Sequence, residues 1–364
     1  MNTETRNVRL LSLDTLRGFD MFWIIGADAV VRTLSQEFPS LGPFAEQLSH
    51  SPWAGMRFWD LIFPLFMFIA GVAIPLSLGR KLEVGSSSRE ILVKVVRRTL
   101  LLILLGIVYN GGLSFEGVRV ASVLGQIGIA YLIAATIFLY ARRFTTQLAW
   151  LAGILLGYSA IQLLVPVPGI GMGVLTPEGS VNSWIDQLLL PGRLHNGTFD
   201  PEGILCTLSA SAITLTGTLA GQVLKRDIWS GNKKALILAL SGVGFLLIGL
   251  SLSPVYPIVK RIWTTTFNLT TGGICLLLMA LFYWAIDVKH WTGWTLFFRV
   301  IGLNAITIYL ATRIVDFETT SEFLFGGVAT LTGIEPAIVI AFGVLVLGWI
   351  LLYFLYKKKI FLRV

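Results

Sequence analysis

The chain has 364 residues, 55% of them hydrophobic and 13% charged, with a mean hydropathy of +0.78. So few charges cannot cover the surface of a soluble protein of this length. The net charge of +8 is accounted for by basic loops that set membrane orientation, so no nucleic-acid partner is expected.

Several apolar runs reach about 20 residues, enough to cross a hydrocarbon core of roughly 30 Å. The expectation is an all-α, polytopic transmembrane helix bundle of about ten spans, one domain over residues 1–364; a β-barrel would show short alternating segments instead. Met1 to Leu13 is polar and expected on the membrane surface. No cleavable signal peptide is expected, because the first apolar run continues as a full span. That span is expected over Leu16–Leu34 and carries Asp20 and Asp28, with Arg17 at its start. At about 100° per residue, Asp14, Arg17 and Asp28 fall on nearly one helix face. An ionisable group at bilayer depth costs roughly 2.5–3.5 kcal/mol, so this face is expected to meet a protein interior or a wet cavity; structural pairing is the plain alternative.

The Ser35–Arg57 loop carries His50, and span two is Phe58–Leu78. A basic loop with Arg80, Lys81, Arg89, Lys94, Arg97 and Arg98 leads to span three, Val95–Val108. The Tyr109–Arg119 loop holds Asn110 and paired glycines. Span four is Ser122–Tyr140, closed by Arg142 and Arg143, and span five is Leu148–Val165. The long loop Pro166–Gly203, with Trp184, Asp186, Arg193, His195 and Asp200, is of a length that is usually functional or disordered. Span six, Ile204–Leu224, is rich in Ser, Thr and Gly, which suits close helix packing. Lys225, Arg226, Lys233 and Lys234 form the next basic loop before span seven, Ala235–Leu252. The loop Pro254–Arg261 and Trp263-Thr-Thr-Thr-Phe267 lead to span eight, Asn268–Ile286; span nine is Leu296–Ala311. Phe323–Leu331 is too short to span and reads as re-entrant, and span ten, Ala337–Tyr356, ends in Lys357-Lys358-Lys359. Roughly 20 Lys and Arg fall on one side of this arrangement and about seven on the other, which places both termini in the cytoplasm. His50, the Pro166–Gly203 loop and Trp263 are then expected on the outer side.

There is no Walker loop, paired CxxC or HExxH. Three histidines far apart in sequence make no metal motif, and no metal is expected. Cys206 and Cys275 lie in apolar runs and read as buried thiols. His50 lies where a polar loop meets a rim of Trp53, Arg57, Trp59 and Asp60. An imidazole beside aromatic walls and a carboxylate is a usual general base or nucleophile; an idle loop histidine is the plain alternative. Asp60 starts span two and can return toward the same rim, and Asp28, a turn or two below the outer end of span one, can orient the ring.

Leu13-Asp-Thr-Leu-Arg-Gly-Phe19 resembles the opening motif of the heparan-α-glucosaminide N-acetyltransferase family, lysosomal and bacterial transmembrane acetyltransferases. His50-Ser-Pro-Trp53-Ala-Gly55 followed by Asp60-Leu-Ile-Phe63-Pro64-Leu-Phe66 is similar to its histidine segment. Further blocks are Val118 to Tyr131, Asp200-Pro-Glu-Gly203, Pro257 to Phe267 and Gly302 to Tyr309, so the likeness runs from about Arg9 to Tyr309. The resemblance implies acetyl transfer from cytosolic acetyl-CoA to the amine of a glucosamine-type sugar or glycan on the lumenal side, which corresponds to the bacterial outer side, with His50 as the active-site histidine. It implies a multi-pass protein of the bacterial inner membrane, working in the lipid bilayer with CoA as partner; a homodimer is one expected assembly. Gly125-Gln126 stands where the family often has Gln-Arg, and Asp28 where the lysosomal members have Asn.

Moving acetyl from a thioester to an amine requires a proton acceptor, an in-line approach and a stabilised oxyanion. His50 can take the proton or first accept the acetyl group itself. Asn304, or the hydroxyls of Thr264–Thr266, are candidates for the oxyanion, with helix-packing polar contacts as the alternative. Trp53 and Trp263 are the candidate substrate walls. Arg17, Arg97 and Arg98 are candidates for the CoA phosphates, and Gln126 joins them on the resemblance. The rival readings are a transporter of sugars or sugar acids and a non-catalytic membrane scaffold.

Overall fold

The computed structural model describes residues 10–111 and 117–362. The expectations for Met1–Arg9, for Gly112 of the paired glycines and for the last two residues fall outside them. Among the described residues the chain is helical throughout, with only isolated β-bridges between loops. The helices are α1 (Leu11–Phe22), α2 (Asp28–Glu37), α3 (Gly42–Gln47), α4 (Phe58–Glu83), α5 (Ser88–Tyr109), α6 (Val123–Tyr140), α7 (Phe144–Leu164) and α8 (Val181–Leu189). They continue as α9 (Ile204–Lys225), α10 (Gly231–Leu252), α11 (Thr265–Phe282), α12 (Thr295–Gly302), α13 (Ala305–Ile314), α14 (Phe317–Thr332) and α15 (Pro336–Lys357).

Among the described residues, seven helices are long and apolar enough to cross a membrane: α4, α6, α7, α9, α10, α11 with its π-helical extension to Val288, and α15. The pair α12–α13, bent by 67°, makes eight if it is one span. Two of the ten expected spans have a different character. The first is interrupted by a π-helical turn, Trp23–Ala27, where Gly26 takes φ 142°. That φ is closed to most L side chains, so the break needs this glycine. The third is longer than expected: the side chain of Ser87 caps the N–H of Glu90 at 3.2 Å and α5 starts at Ser88, so Arg89, Lys94, Arg97 and Arg98 ride on the helix rather than in a loop. Long basic side chains are good helix formers, and a cap decides where the helix begins. Phe323–Leu331 lies within α14, and the long 166–203 segment contains α8.

The chain forms two compact units, each discontinuous in sequence. Unit one draws on Met1–Gly42, Trp229–Ala239 and Leu277–Arg363; unit two on Pro43–Ile228 and Leu240–Leu276. In unit one, the first N–H groups of α1 are satisfied from far away in sequence: Leu11 and Ser12 N–H donate to the Asp287 carboxylate, both at 3.2 Å. Leu11 to Leu13 therefore belong to a packed helix. Edge-to-face contacts of Phe19, Phe22, Phe297 and Phe298 join α1 to α12. Asp20 is fully buried in α1, with neither carboxylate oxygen hydrogen-bonded to a described residue.

In unit two, α4 and α9 pack backbone to backbone. A Cβ on Gly71 would sit 2.0 Å from Thr214 O, and one on Gly217 would sit 2.1 Å from Phe68 O. This is the small-residue packing that apolar surroundings favour. Beside it, Ile74, Ile91, Val95, Ala134, Leu139, Leu151 and Leu215 form a closed core of α4, α5, α6, α7 and α9. A polar knot then fixes one turn at the bundle's end. Tyr158 Oη and Gln162 Nε2 donate to Ile262 O at 2.6 and 3.0 Å, and Gln162 Nε2 also donates to Asn182 Oδ1 at 2.7 Å. That knot ties α7 and α8 to the turn that carries Lys260.

Candidate active site

Asp60 organises the site. It is the third residue of α4, where an unpaired N–H of the helix start needs an acceptor and the helix dipole favours a negative charge. Its Oδ2 accepts from Arg57 N at 3.0 Å and Ser51 N at 3.1 Å. Its Oδ1 lies 2.8 Å from His50 Nδ1 and 3.4 Å from Lys260 Nζ. The carboxylate is fully buried, while the His50 side chain is 47% exposed. An ionised carboxylate only accepts, so Nδ1 carries the proton and the neutral ring presents Nε2 as its acceptor. With Nδ1 donating to Asp60, Lys260 cannot donate to that nitrogen as well. Its Nζ lies 2.9 Å from Nδ1 and 3.4 Å from Nε2, against the ring and nearer Nδ1.

The loop around the histidine is held from several sides. Arg57 donates to Ser49 Oγ at 2.7 Å and His50 O at 3.1 Å, and pairs with Glu46. Trp59 lies 6.4 Å from the imidazole, ring to ring. Gly55 N donates to Ile258 O at 2.8 Å, which joins the His50 loop to the Lys260 turn. Trp53 Nε1 donates to Leu175 O at 2.8 Å and its ring meets Phe199 edge-on. Burial lowers the Lys260 ammonium below the ordinary lysine range, against the pull of the Asp60 and Glu202 carboxylates.

The other expected residues of unit two support this turn. Trp263 is 1% exposed and takes φ 47°, a left-handed conformation rare for a bulky residue and worth roughly 1–3 kcal/mol of strain. Its surroundings impose it: Nε1 donates to Pro201 O at 3.1 Å and the ring packs edge-on against Phe63 and Phe267. Thr264 Oγ1 accepts from Val259 N at 3.0 Å and contacts Thr266 Oγ1 at 3.0 Å; Thr266 Oγ1 donates to Pro257 O at 2.9 Å. Of the basic candidates, Arg97 is exposed on α5, whereas the Arg98 guanidinium sits 4.4 Å over the Tyr131 ring. Gln126 is 2% exposed, and neither atom of its amide has a hydrogen-bond partner among the described residues.

The remaining candidates belong to unit one. Asp28 pairs with Arg32 one turn along α2 and lines an open cavity of about 770 Å³ with Gly26, Thr33, Thr312, Asp316 and Val344. Arg17 is 3.7 Å from Asp14. Asn304 Nδ2 donates to Ile360 O at 3.1 Å and its Oδ1 accepts from Leu362 N at 3.3 Å, so its amide joins the start of α13 to the chain after α15.

Three residues at or beside the site were not singled out by sequence reasoning, although each sits in a block quoted for the resemblance. Lys260 is one. Arg119 and Glu202 are the others: Arg119 donates to Asp200 from Nε (2.7 Å) and Nη2 (2.6 Å), and from Nη2 to Glu202. The guanidinium holds Asp200 below the usual carboxylate range. Burial and neighbouring Asp200 push Glu202 up to about 7 against the pull of Arg119, and burial pushes Asp186 up to about 6. Among the described residues, no group of three or more His, Cys, Asp or Glu is placed to hold a metal ion.

Residues 9–148, which include His50 and Asp60, match a family described as a domain of unknown function (DUF5009). The chain also aligns with two curated acetyltransferases. It is similar to heparan-alpha-glucosaminide N-acetyltransferase of Homo sapiens and of Mus musculus. Identity to the human protein is 27% over 420 residues, covering 98% of this chain and 60% of the relative. Identity to the mouse protein is 27% over 376 residues, covering 86% and 56%. The chain thus spans less than two thirds of the length of these relatives.

Proposed function

We propose that the whole chain works as one transmembrane acetyltransferase that moves acetyl from cytoplasmic acetyl-CoA to the amine of a glucosamine-type sugar on the periplasmic side. The observation that carries this reading is the His50–Asp60 pair: a half-exposed imidazole whose Nδ1 is held by a buried carboxylate, so that Nε2 is presented for chemistry. The likeness to two N-acetyltransferases supports the reaction class. In this reading Asp60 fixes the tautomer, and Nε2 either takes the proton of the acceptor amine or attacks the acetyl carbon first. Trp53 and Trp59 wall the acceptor side. The unpartnered amide of buried Gln126 suits the amide-bearing arm of CoA, and exposed Arg97 suits its phosphates. In this reading the protein works in a bacterial inner membrane, and the Lys and Arg asymmetry supports cytoplasmic termini.

The test is direct. Purified protein in detergent is given radiolabelled acetyl-CoA and a panel of amino sugars. Label on a sugar supports the proposal. Sugar uptake into vesicles with no label transferred would replace it with the transporter reading.

A further inference from the structure

We propose that Lys260 is the oxyanion donor of the His50 centre, its ammonium receiving the carbonyl oxygen of the acyl group as that oxygen becomes negative. The inference rests on the acyl-transfer reading above, and it begins from geometry. Lys260 Nζ is 3.4 Å from His50 Nε2 and 3.4 Å from Asp60 Oδ1. An ammonium has three N–H bonds. Asp60 takes one, and protonated Nδ1, 2.9 Å from Nζ, takes none, so two N–H bonds are left for an incoming group. When Nε2 is the nucleophile, a carbon in reacting position lies about 3–3.5 Å from it, and its oxygen is about 1.2 Å from that carbon. Nζ lies 2.9 Å from Nδ1 and 3.4 Å from Nε2, and its flexible stem can carry an N–H to that oxygen as the carbonyl turns toward it.

Two further observations favour Lys260. Its side chain is only 15% exposed, so its charge acts with little water between it and the reacting atoms. The hydroxyls of the Thr264–Thr266 turn are committed elsewhere: Thr264 accepts from Val259 N and Phe267 N, Thr265 donates to Leu155 O, and Thr266 donates to Pro257 O. These bonds, with the left-handed Trp263, hold the turn that aims Lys260.

The step balances in either order of events. If His50 is the nucleophile, the Nε2 lone pair forms the C–N bond and the carbonyl π pair moves to the oxygen facing Lys260. Collapse breaks the C–S bond, and the thiolate leaves with its electron pair. The acceptor amine then attacks through a second oxyanion at the same place, imidazole leaves, and the amine's proton ends on the thiolate. If His50 is a general base, Nε2 takes the amine's proton as the C–N bond forms, the carbonyl π pair moves to the oxygen and returns as the C–S bond breaks, and the proton passes to the departing thiolate.

The probe is p-nitrophenyl acetate, which needs neither CoA nor a sugar. Nitrophenolate release is measured for wild type, His50→Ala, Lys260→Met and Lys260→Arg, all as full-length protein in detergent. Lys260→Met is expected to lower kcat about 10²–10³-fold with KM little changed, and Lys260→Arg to recover part of the loss. The NMR signature of the His50 tautomer should be the same in Lys260→Met as in wild type. Lys260→Met within threefold of wild type overturns the inference. So does a rate loss accompanied by a changed tautomer, which would make Lys260 a support for the ring. A wild-type rate no greater than that of His50→Ala overturns it too. If wild type labels no amino sugar yet nitrophenolate release still requires His50 and Lys260, the amino-sugar reading fails and this one stands.

Discussion

Two charged clusters in unit two are built from the same kinds of residue and end in opposite states. In the first, Asp60 gathers Arg57 N, Ser51 N, His50 and Lys260, and the cluster opens outward on an imidazole that is 47% exposed. In the second, Asp200 gathers Arg119 Nε and Nη2 and the N–H groups of His195 and Glu202, while Asp186 accepts from Asp200 N and Ile204 N. There the Arg119 side chain is 11% exposed and the Asp200 side chain is fully covered. Composition does not distinguish the two. The difference is exposure: the second cluster pairs its charges under cover, whereas the first presents a ring nitrogen at the surface. A closed network holds a fold together, and an open one can act on something else.

The sharpest way to break this comparison is His50→Ala. Acetyl transfer should fall on the order of 10²–10⁴-fold, read with radiolabelled acetyl-CoA. Stability should fall by no more than about 1 kcal/mol, because Asp60 keeps Lys260, Ser51 N and Arg57 N. Transfer at near wild-type rate would reduce the first cluster to a support like the second.

Arg119→Met addresses the other side. It leaves Asp200 and Glu202 without their cation and should cost about 3–5 kcal/mol of stability, read as a lowered melting temperature in detergent. A variant that melts like wild type but transfers nothing would move Arg119 into the working site.

Asp186 provides a pH test of the closed cluster. Its carboxyl is pushed up to about 6 by burial, so the folded chain holds this proton to higher pH than the unfolded chain does. Its contribution to stability therefore falls as pH rises from about 4 to about 6 and is constant above that. The stability of wild type relative to Asp186→Asn should drop across that window by up to about 3 kcal/mol. A relative stability that does not change with pH would mean that Asp186 is hydrated. The smallest effect is expected from Trp53→Phe, which removes the 2.8 Å bond to Leu175 O but keeps a ring against Phe199. It should cost about 1 kcal/mol, seen as faster amide exchange in the 50–57 loop.

Much of this was legible because it is local. Ser122 was expected to open a span, and its Oγ caps α6 at Gly125 N, 3.0 Å away. Asp60, at the start of a span, is expected to return toward the rim of His50, and its Oδ1 lies 2.8 Å from His50 Nδ1. The boundaries of α5 were misread because its start is set by one serine cap rather than by hydropathy. The break of the first expected span at Gly26 was not read, since a single glycine in an apolar run leaves the hydropathy unchanged.

The amino-acid sequence by itself determined the helices, their apolar length, the acidic residue at the start of α4 and the histidine ahead of it. These follow from terms that act between near neighbours: hydropathy, caps and the unpaired N–H groups of a helix end. Only the tertiary structure decided that Lys260, 210 residues away, lies against the His50 ring, and that Arg119 closes on Asp200 across 81 residues. A lysine in a short loop and an arginine between two valines are ordinary surface residues until packing brings an acid to them. Burial then makes the pairing matter, because a charge removed from water must be matched by a partner, and the sequence does not number its long-range partners.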